Sequence, residues 1–136
     1  MKLTANIDGA SFGNPGASGL GVVLKDGGGK VVVEHFEHLG NGTNNRAEYM
    51  ALLRSIELAE KLGCDELEVR SDSQLVVSQI NGVYKIKSGD IKALVQKVRE
   101  KLATSHLKFT IVHVRREFNK EADKLAKKGA GLVVKE

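Results

Sequence analysis

Apolar and polar side chains alternate at the start of the chain: Leu3, Ala5 and Ile7 stand between Thr4, Asn6 and Asp8. A period of two predicts a strand with one buried face. Gly13-Asn14-Pro15-Gly16 supplies a strong turn signal at its end. Two further strand-like runs follow, Gly19–Lys25 and Lys30–Leu39, with Asp26-Gly27-Gly28-Gly29 between them as a hairpin turn. The opening third therefore reads as an antiparallel meander of three strands.

The period then changes. Tyr49, Leu52, Leu53, Ile56 and Ala59 fall at helical spacing, and Gly63 marks the stop. Leu67–Arg70 is a short strand. Ser71-Asp72-Ser73 offers N-caps for a helix over Gln74–Ile80 that Asn81-Gly82 ends. Ile91, Leu94, Val95, Val98 and Leu102 define another amphipathic helix, capped by Ser88 or Asp90, and Leu107–Val114 alternates as a last strand. Asn119 is expected to cap a final helix through Lys127 that stops at Gly129. The order βββαβααβα, antiparallel strands followed by crossovers, predicts an α/β (mixed α+β) fold: a five-stranded mixed sheet with helices on both faces. No repeat, low-complexity tract or linker interrupts it, so residues 1–136 are expected to form a single domain.

Composition narrows the class. The chain is 41% hydrophobic and 28% charged, as in folded globular proteins. A formal charge of +4 and a pI near 9.2 lean toward an anionic partner without identifying one. Cys64 is the lone cysteine, which excludes an intrachain disulfide and a cysteine zinc cluster and suits a reducing cytoplasm. The start turns polar too soon for a signal peptide, and no apolar run is long enough for a bilayer. A soluble cytoplasmic protein is expected, monomeric, with no membrane association and no obligate protein partner.

Acidic residues carry the candidate chemistry. Asp8 lies inside a strand, where Asp is disfavoured; it either faces solvent on a half-exposed sheet or serves a site. Glu48 falls in the first turn of a helix, where the macrodipole favours any acid. Asp72 is either a plain N-cap or an acid at the carboxyl end of a strand, where open α/β sheets place their ligands. Asp123 is flanked by Ala122 and Ala126, small residues that would let its helix approach the sheet closely. If the four converge they need a cation, because like charges at short range raise each other's pKa. Oxygen-only ligands suit Mg²⁺ or Mn²⁺ rather than zinc. Spacing alone does not establish convergence. His35 and His38 point to opposite faces of their strand, and His106 and His113 are too far apart to pair. The glycines at 27–29 match no phosphate loop, Cys64 reads as an inert thiol, and no nucleophilic triad stands out.

At these residues the chain resembles the type I ribonuclease H family. Ile7-Asp8-Gly9-Ala10-Ser11-Phe12-Gly13-Asn14-Pro15-Gly16 is similar to that family's first strand and turn, and Thr43-Asn44-Asn45-Arg46-Ala47-Glu48 to its helix-opening motif. Ser71-Asp72-Ser73-Gln74-Leu75-Val76 and Arg116-Glu117-Phe118-Asn119-Lys120-Glu121-Ala122-Asp123-Lys124-Leu125-Ala126 resemble the third and fourth motifs. Four ordered motifs are much harder to meet by chance than one. The resemblance implies a ribonuclease H-like fold and an endonuclease that cuts the RNA strand of RNA–DNA hybrids, leaving 3′-hydroxyl and 5′-phosphate ends. It implies two Mg²⁺ ions, with Mn²⁺ as a substitute, about 3.5–4 Å apart on the scissile phosphate. Asp8 would bridge both ions, Glu48 and Asp72 would hold one side and Asp123 the other. Asn14, Asn44, Asn45 and Gln74 would offer amides to the 2′-hydroxyls that distinguish RNA, besides the turn and capping roles such residues also fill. Thr43 would seat a phosphate of the DNA strand.

The chain departs from many relatives in two places. Arg115-Arg116-Glu117-Phe118 replaces a long histidine-bearing loop, as in a compact bacterial and archaeal subgroup, and Arg116 either contacts the phosphate or is a solvated loop arginine. Gly82-Val83-Tyr84-Lys85-Ile86-Lys87-Ser88 connects two helices directly, without a basic protrusion, and Lys85 and Lys87 would supply a reduced version of it. Fewer phosphate contacts imply a shallower salt dependence. The alternatives are a double-stranded-RNA nuclease on the same scaffold, or a non-catalytic module binding hybrid or double-stranded RNA.

Overall fold

A computed structural model describes residues 1–82, 86 and 88–132. Strands β1 (Lys2–Gly13), β2 (Gly16–Lys25) and β3 (Val31–Gly42) form the antiparallel meander, followed by α1 (Asn44–Lys61), β4 (Glu66–Ser71), α2 (Gln74–Ile80), α3 (Gly89–Thr104), β5 (Lys108–His113) and α4 (Lys120–Ala130). A single 3₁₀ turn, Arg116–Phe118, precedes α4. The strands assemble as one five-stranded sheet in the order β3-β2-β1-β4-β5. β1 pairs antiparallel with β2 and parallel with β4, and β4 pairs parallel with β5. The element order and mixed sheet match those expected from the periodicities.

The alternation at the start of the chain divides the sheet into two faces. Leu3, Ala5 and Ile7 share one buried layer with Leu67, Val69, Leu20, Val22 and Leu24; α1 and α2 cover it with Tyr49, Leu52, Ile56 and Val76, and α3 packs on α1 with Leu94 and Val98. Truncating a fully buried side chain such as Leu52 would cost roughly 2–5 kcal/mol. Asn6 and Asp8 point the other way, toward α4, whose buried positions are Ala122, Ala126, Gly129 and Ala130.

That second face is assembled by close backbone approach. Gly21 lies opposite Asp8 in the β1–β2 register. A Cβ on Gly21 would fall 2.4 Å from the Ala122 carbonyl oxygen and 2.7 Å from the Ala126 nitrogen, so only glycine lets α4 lie there. Gly129, expected to stop this helix, instead lies inside it and packs against the backbone of Glu37 on β3; the chain leaves the helix at Gly131. Small size is used there for contact with the sheet rather than for a turn.

The caps differ from expectation in one telling place. Thr43, Ser73 and Ser88 each accept a hydrogen bond from the backbone N–H three residues on, at the starts of α1, α2 and α3. Asn119 makes no such bond to α4, because its side chain is buried and used elsewhere.

Candidate active site

Register explains why Asp8 and Asp72 meet. Ile7 pairs with Ser71 across the parallel β1–β4 ladder, so the next residue on each strand is a carboxylate at the same level of the sheet. The strand order also reverses here, between β1 and β4, the kind of switch point at which open sheets bind ligands. Because Ser73 is the cap of α2, Asp72 is free of that duty. Glu48 arrives from the second turn of α1, not the first as expected, because the helix already begins at Asn44. That helix can sit against β1 because Gly9 has no side chain: a Cβ there would fall 2.4 Å from the Glu48 nitrogen. Next to Glu48, the Tyr49 hydroxyl donates to Gln79 Oε1 at 2.7 Å, tying α1 to α2 in the interior.

Asp8, Glu48 and Asp72 each present a carboxylate oxygen within 4.8 Å of the others. Asp123, half-buried in the first turn of α4, joins them in lining one cleft of about 440 Å³, together with Ser11, Phe12, Asn44, Asn45, Leu75, Arg116 and Lys127. Lys127 Nζ lies 3.1 Å from Asp123 Oδ2, one helical turn away. Lys127 was not singled out from the sequence, although its spacing of four from Asp123 is the available signal.

Electrostatics mark the cluster as one that wants a cation. Burial pushes the Asp8 carboxyl up to about 7, with the charges of Asp72 and Asp123 adding to the rise and a hydrogen bond from Glu48 opposing it. Glu48 is raised well above the usual carboxylate range, first by burial and then by Asp8. Glu48 Oε2 is the one buried side-chain oxygen or nitrogen among the described residues that has no hydrogen-bond partner. An orphaned buried acceptor costs stability unless something fills its coordination. A divalent ion held by oxygens fits this donor set, which contains no sulfur or imidazole.

The remaining candidates divide by place. Asn44 and Asn45 line the acidic cleft; the Asn44 side chain accepts from the Ser11 hydroxyl at 2.9 Å, and its backbone N–H donates to Asn14 Oδ1 at 3.2 Å. Asn14 and Thr43 instead line an adjoining hollow of about 470 Å³ with Gly42, Arg46, Ser88 and Asp90, and Asn45 borders both. Gln74 opens α2 on the exposed surface, beside Leu75 on the cleft rim. Arg116 reaches the cleft from its 3₁₀ turn. His113 ends β5 beside Ser71. His38, on the α4 side of β3, contacts the Gly129 carbonyl oxygen through Nδ1 at 3.0 Å. Lys85 and Lys87 lie outside the described residues.

The chain is similar to known proteins in both sequence and fold. A family described as reverse transcriptase-like matches residues 6–129. Ribonuclease HI of Halobacterium salinarum is 42% identical over 125 residues, covering 92% of this chain; the chain spans 62% of that relative's length. The crystal structure of RNase H1 from the same archaeon superposes with a TM-score of 0.91 at 40% identity, covering 95% of this chain and 97% of that one. LC11 RNase H1, solved in complex with an RNA/DNA hybrid, gives a TM-score of 0.89 at 37% identity, covering 94% of this chain and 96% of that one.

Proposed function

The chain belongs to the ribonuclease H family, and we propose from that premise that it hydrolyses the RNA strand of RNA–DNA hybrids with divalent metal ions, leaving 3′-hydroxyl and 5′-phosphate ends. The observation that carries this reading is the carboxylate cluster of Asp8, Glu48 and Asp72 beside the carboxyl end of β4, with the unpartnered Glu48 oxygen inside it. The hybrid found with LC11 RNase H1 supports the choice of substrate.

In this reading Asp8, Glu48, Asp72 and Asp123 hold two Mg²⁺ ions, or Mn²⁺ in their place. When bound, the ions supply the Lewis acidity that activates water and stabilises the leaving 3′-oxygen. The protein's own part is to hold the acids at fixed spacing, in a partly buried cleft where charge interactions are stronger than in water. Arg116 and Lys127 border that cleft with positive charge that attracts the phosphate backbone. Asn44, Asn45 and Gln74 face the minor groove and read 2′-hydroxyls, which separates the RNA strand from DNA. Thr43 and Asn14, in the hollow beside Asn45, seat the DNA strand's phosphate, and the positive charges of Lys85 and Lys87 favour binding of the hybrid backbone. Backbone contacts of this kind give little sequence preference. Residues 1–136 act as one catalytic unit, a monomer working in the cytoplasm. No helix among the described residues is long and apolar enough to cross a membrane.

The test is a panel of labelled duplexes. With Mg²⁺ or Mn²⁺ the protein cuts the RNA strand of a hybrid and leaves double-stranded DNA intact, and EDTA stops it. Preferred cutting of double-stranded RNA would transfer the activity to that substrate, and binding without cutting under any metal would reduce the protein to a binding module.

A further inference from the structure

Asn119 is almost wholly buried, at 1% exposure, and its amide is fully committed. Nδ2 donates to the Ile7 carbonyl oxygen at 2.9 Å and to Asp72 Oδ2 at 3.3 Å. Oδ1 accepts from Asn6 Nδ2 at 3.0 Å, and Asn6, 8% exposed, also reaches the Phe118 carbonyl oxygen at 3.5 Å. An amide nitrogen has two protons. Asn119 thus spends one on the backbone immediately before Asp8 and the other on the side chain of Asp72.

We propose that Asn119, oriented by Asn6, is a positioning residue for the metal-binding acids: it fixes the Asp72 carboxylate relative to the Asp8 stem. The inference rests on the reading that these acids hold divalent ions. The two ends of an amide have nearly the same shape, so a neighbour must decide which end faces Asp72. The Ile7 carbonyl, which can only accept, holds Nδ2 on that side, and Asn6 reinforces the orientation by donating to Oδ1. Reversed, the amide oxygen of Asn119 would confront the Ile7 carbonyl and the Asp72 carboxylate with no proton between them, while its nitrogen would face the Asn6 donor. With Oδ2 of Asp72 held by Asn119, the other carboxylate oxygen is left for a cation. The same link joins the start of α4 to the middle of β1 and to the residue that follows β4, so the helix that carries Asp123 is keyed to Asp8 and Asp72. This accounts for the absent cap: the side chain that would close the helix start is turned into the sheet.

Outer partners of this kind change metal affinity or activity by roughly 10–100-fold when removed. Mn²⁺ binding is measured by calorimetry without nucleic acid, alongside kcat and KM on a hybrid and the melting temperature. Asn119→Ala is expected to weaken Mn²⁺ binding by about tenfold or more and to lower kcat by a similar factor. KM should stay within about twofold, and excess Mn²⁺ should recover part of kcat. Asn6→Ser should move both quantities the same way by less. The double variant should be no worse than Asn119→Ala alone, because Asn6 acts through Asn119. Unchanged Mn²⁺ affinity in Asn119→Ala, whatever its melting temperature, overturns the proposal, as does a double variant whose losses add. If Asn119→Ala does not fold, Asn6→Ser decides by the same affinity criterion. A wild-type protein that neither binds Mn²⁺ nor cuts a hybrid defeats the nuclease reading instead.

Discussion

Asp8 is buried beside Glu48 and Asp72, and its environment sets a cost that the metal-free protein bears. Its carboxyl is raised to about 7 in the fold, chiefly by burial, against 3.8 for an ordinary aspartate. The folded state therefore binds this proton more tightly than the unfolded chain does. Its contribution to stability is fullest below the unfolded value and is lost as pH rises toward 7. Asp8→Asn removes that dependence: thermal melting of the metal-free variant should show a flatter pH profile, and at pH 8 a gain of about 1 kcal/mol, roughly 3–5 °C. Mg²⁺ should raise the melting temperature of the wild type and not of the variant. A variant less stable than the wild type at pH 8 without metal would contradict the electrostatic account. Asp8 was legible because an acid in the middle of a strand is conspicuous. Asn119 was not: an asparagine before a helix reads as a cap, and its partner Asn6 lies over a hundred residues away in the chain.

At the scale of elements, the site depends on how close α4 lies to the sheet. The alanines of α4 signalled a close approach, but the complementary feature, Gly21 on β2, looked like an ordinary strand glycine. Gly21→Ala places a Cβ against the Ala122 carbonyl and the Ala126 nitrogen, backbone atoms that cannot swing aside. Urea titration should show a loss of roughly 1–3 kcal/mol. Hybrid cleavage should fall further than stability explains, because Asp123 and Asn119 move with the helix. Full activity in a folded Gly21→Ala protein would show that the acids tolerate displacement. Periodicity revealed the strands and helices, since it reports which face each element buries. It did not reveal the register that pairs Ile7 with Ser71, because register is set by packing between elements distant in sequence.

For the whole molecule, the sheet order sets the middle of β1 beside the end of β4 at a switch point and lays α1 and α4 on opposite faces, so acids from both layers reach one cleft. Neither composition nor the charge of +4 indicated that place; the ordered motifs did, and topology supplies the reason. The cluster's function is tested most directly with Asp72→Asn and a hybrid labelled on its RNA strand, in Mg²⁺. Wild-type protein should cut the RNA strand and stop in EDTA. Asp72→Asn should still fold and bind the hybrid while cleavage falls by at least about a hundredfold. Cleavage that persists in EDTA, or in the Asp72→Asn protein, would contradict the account.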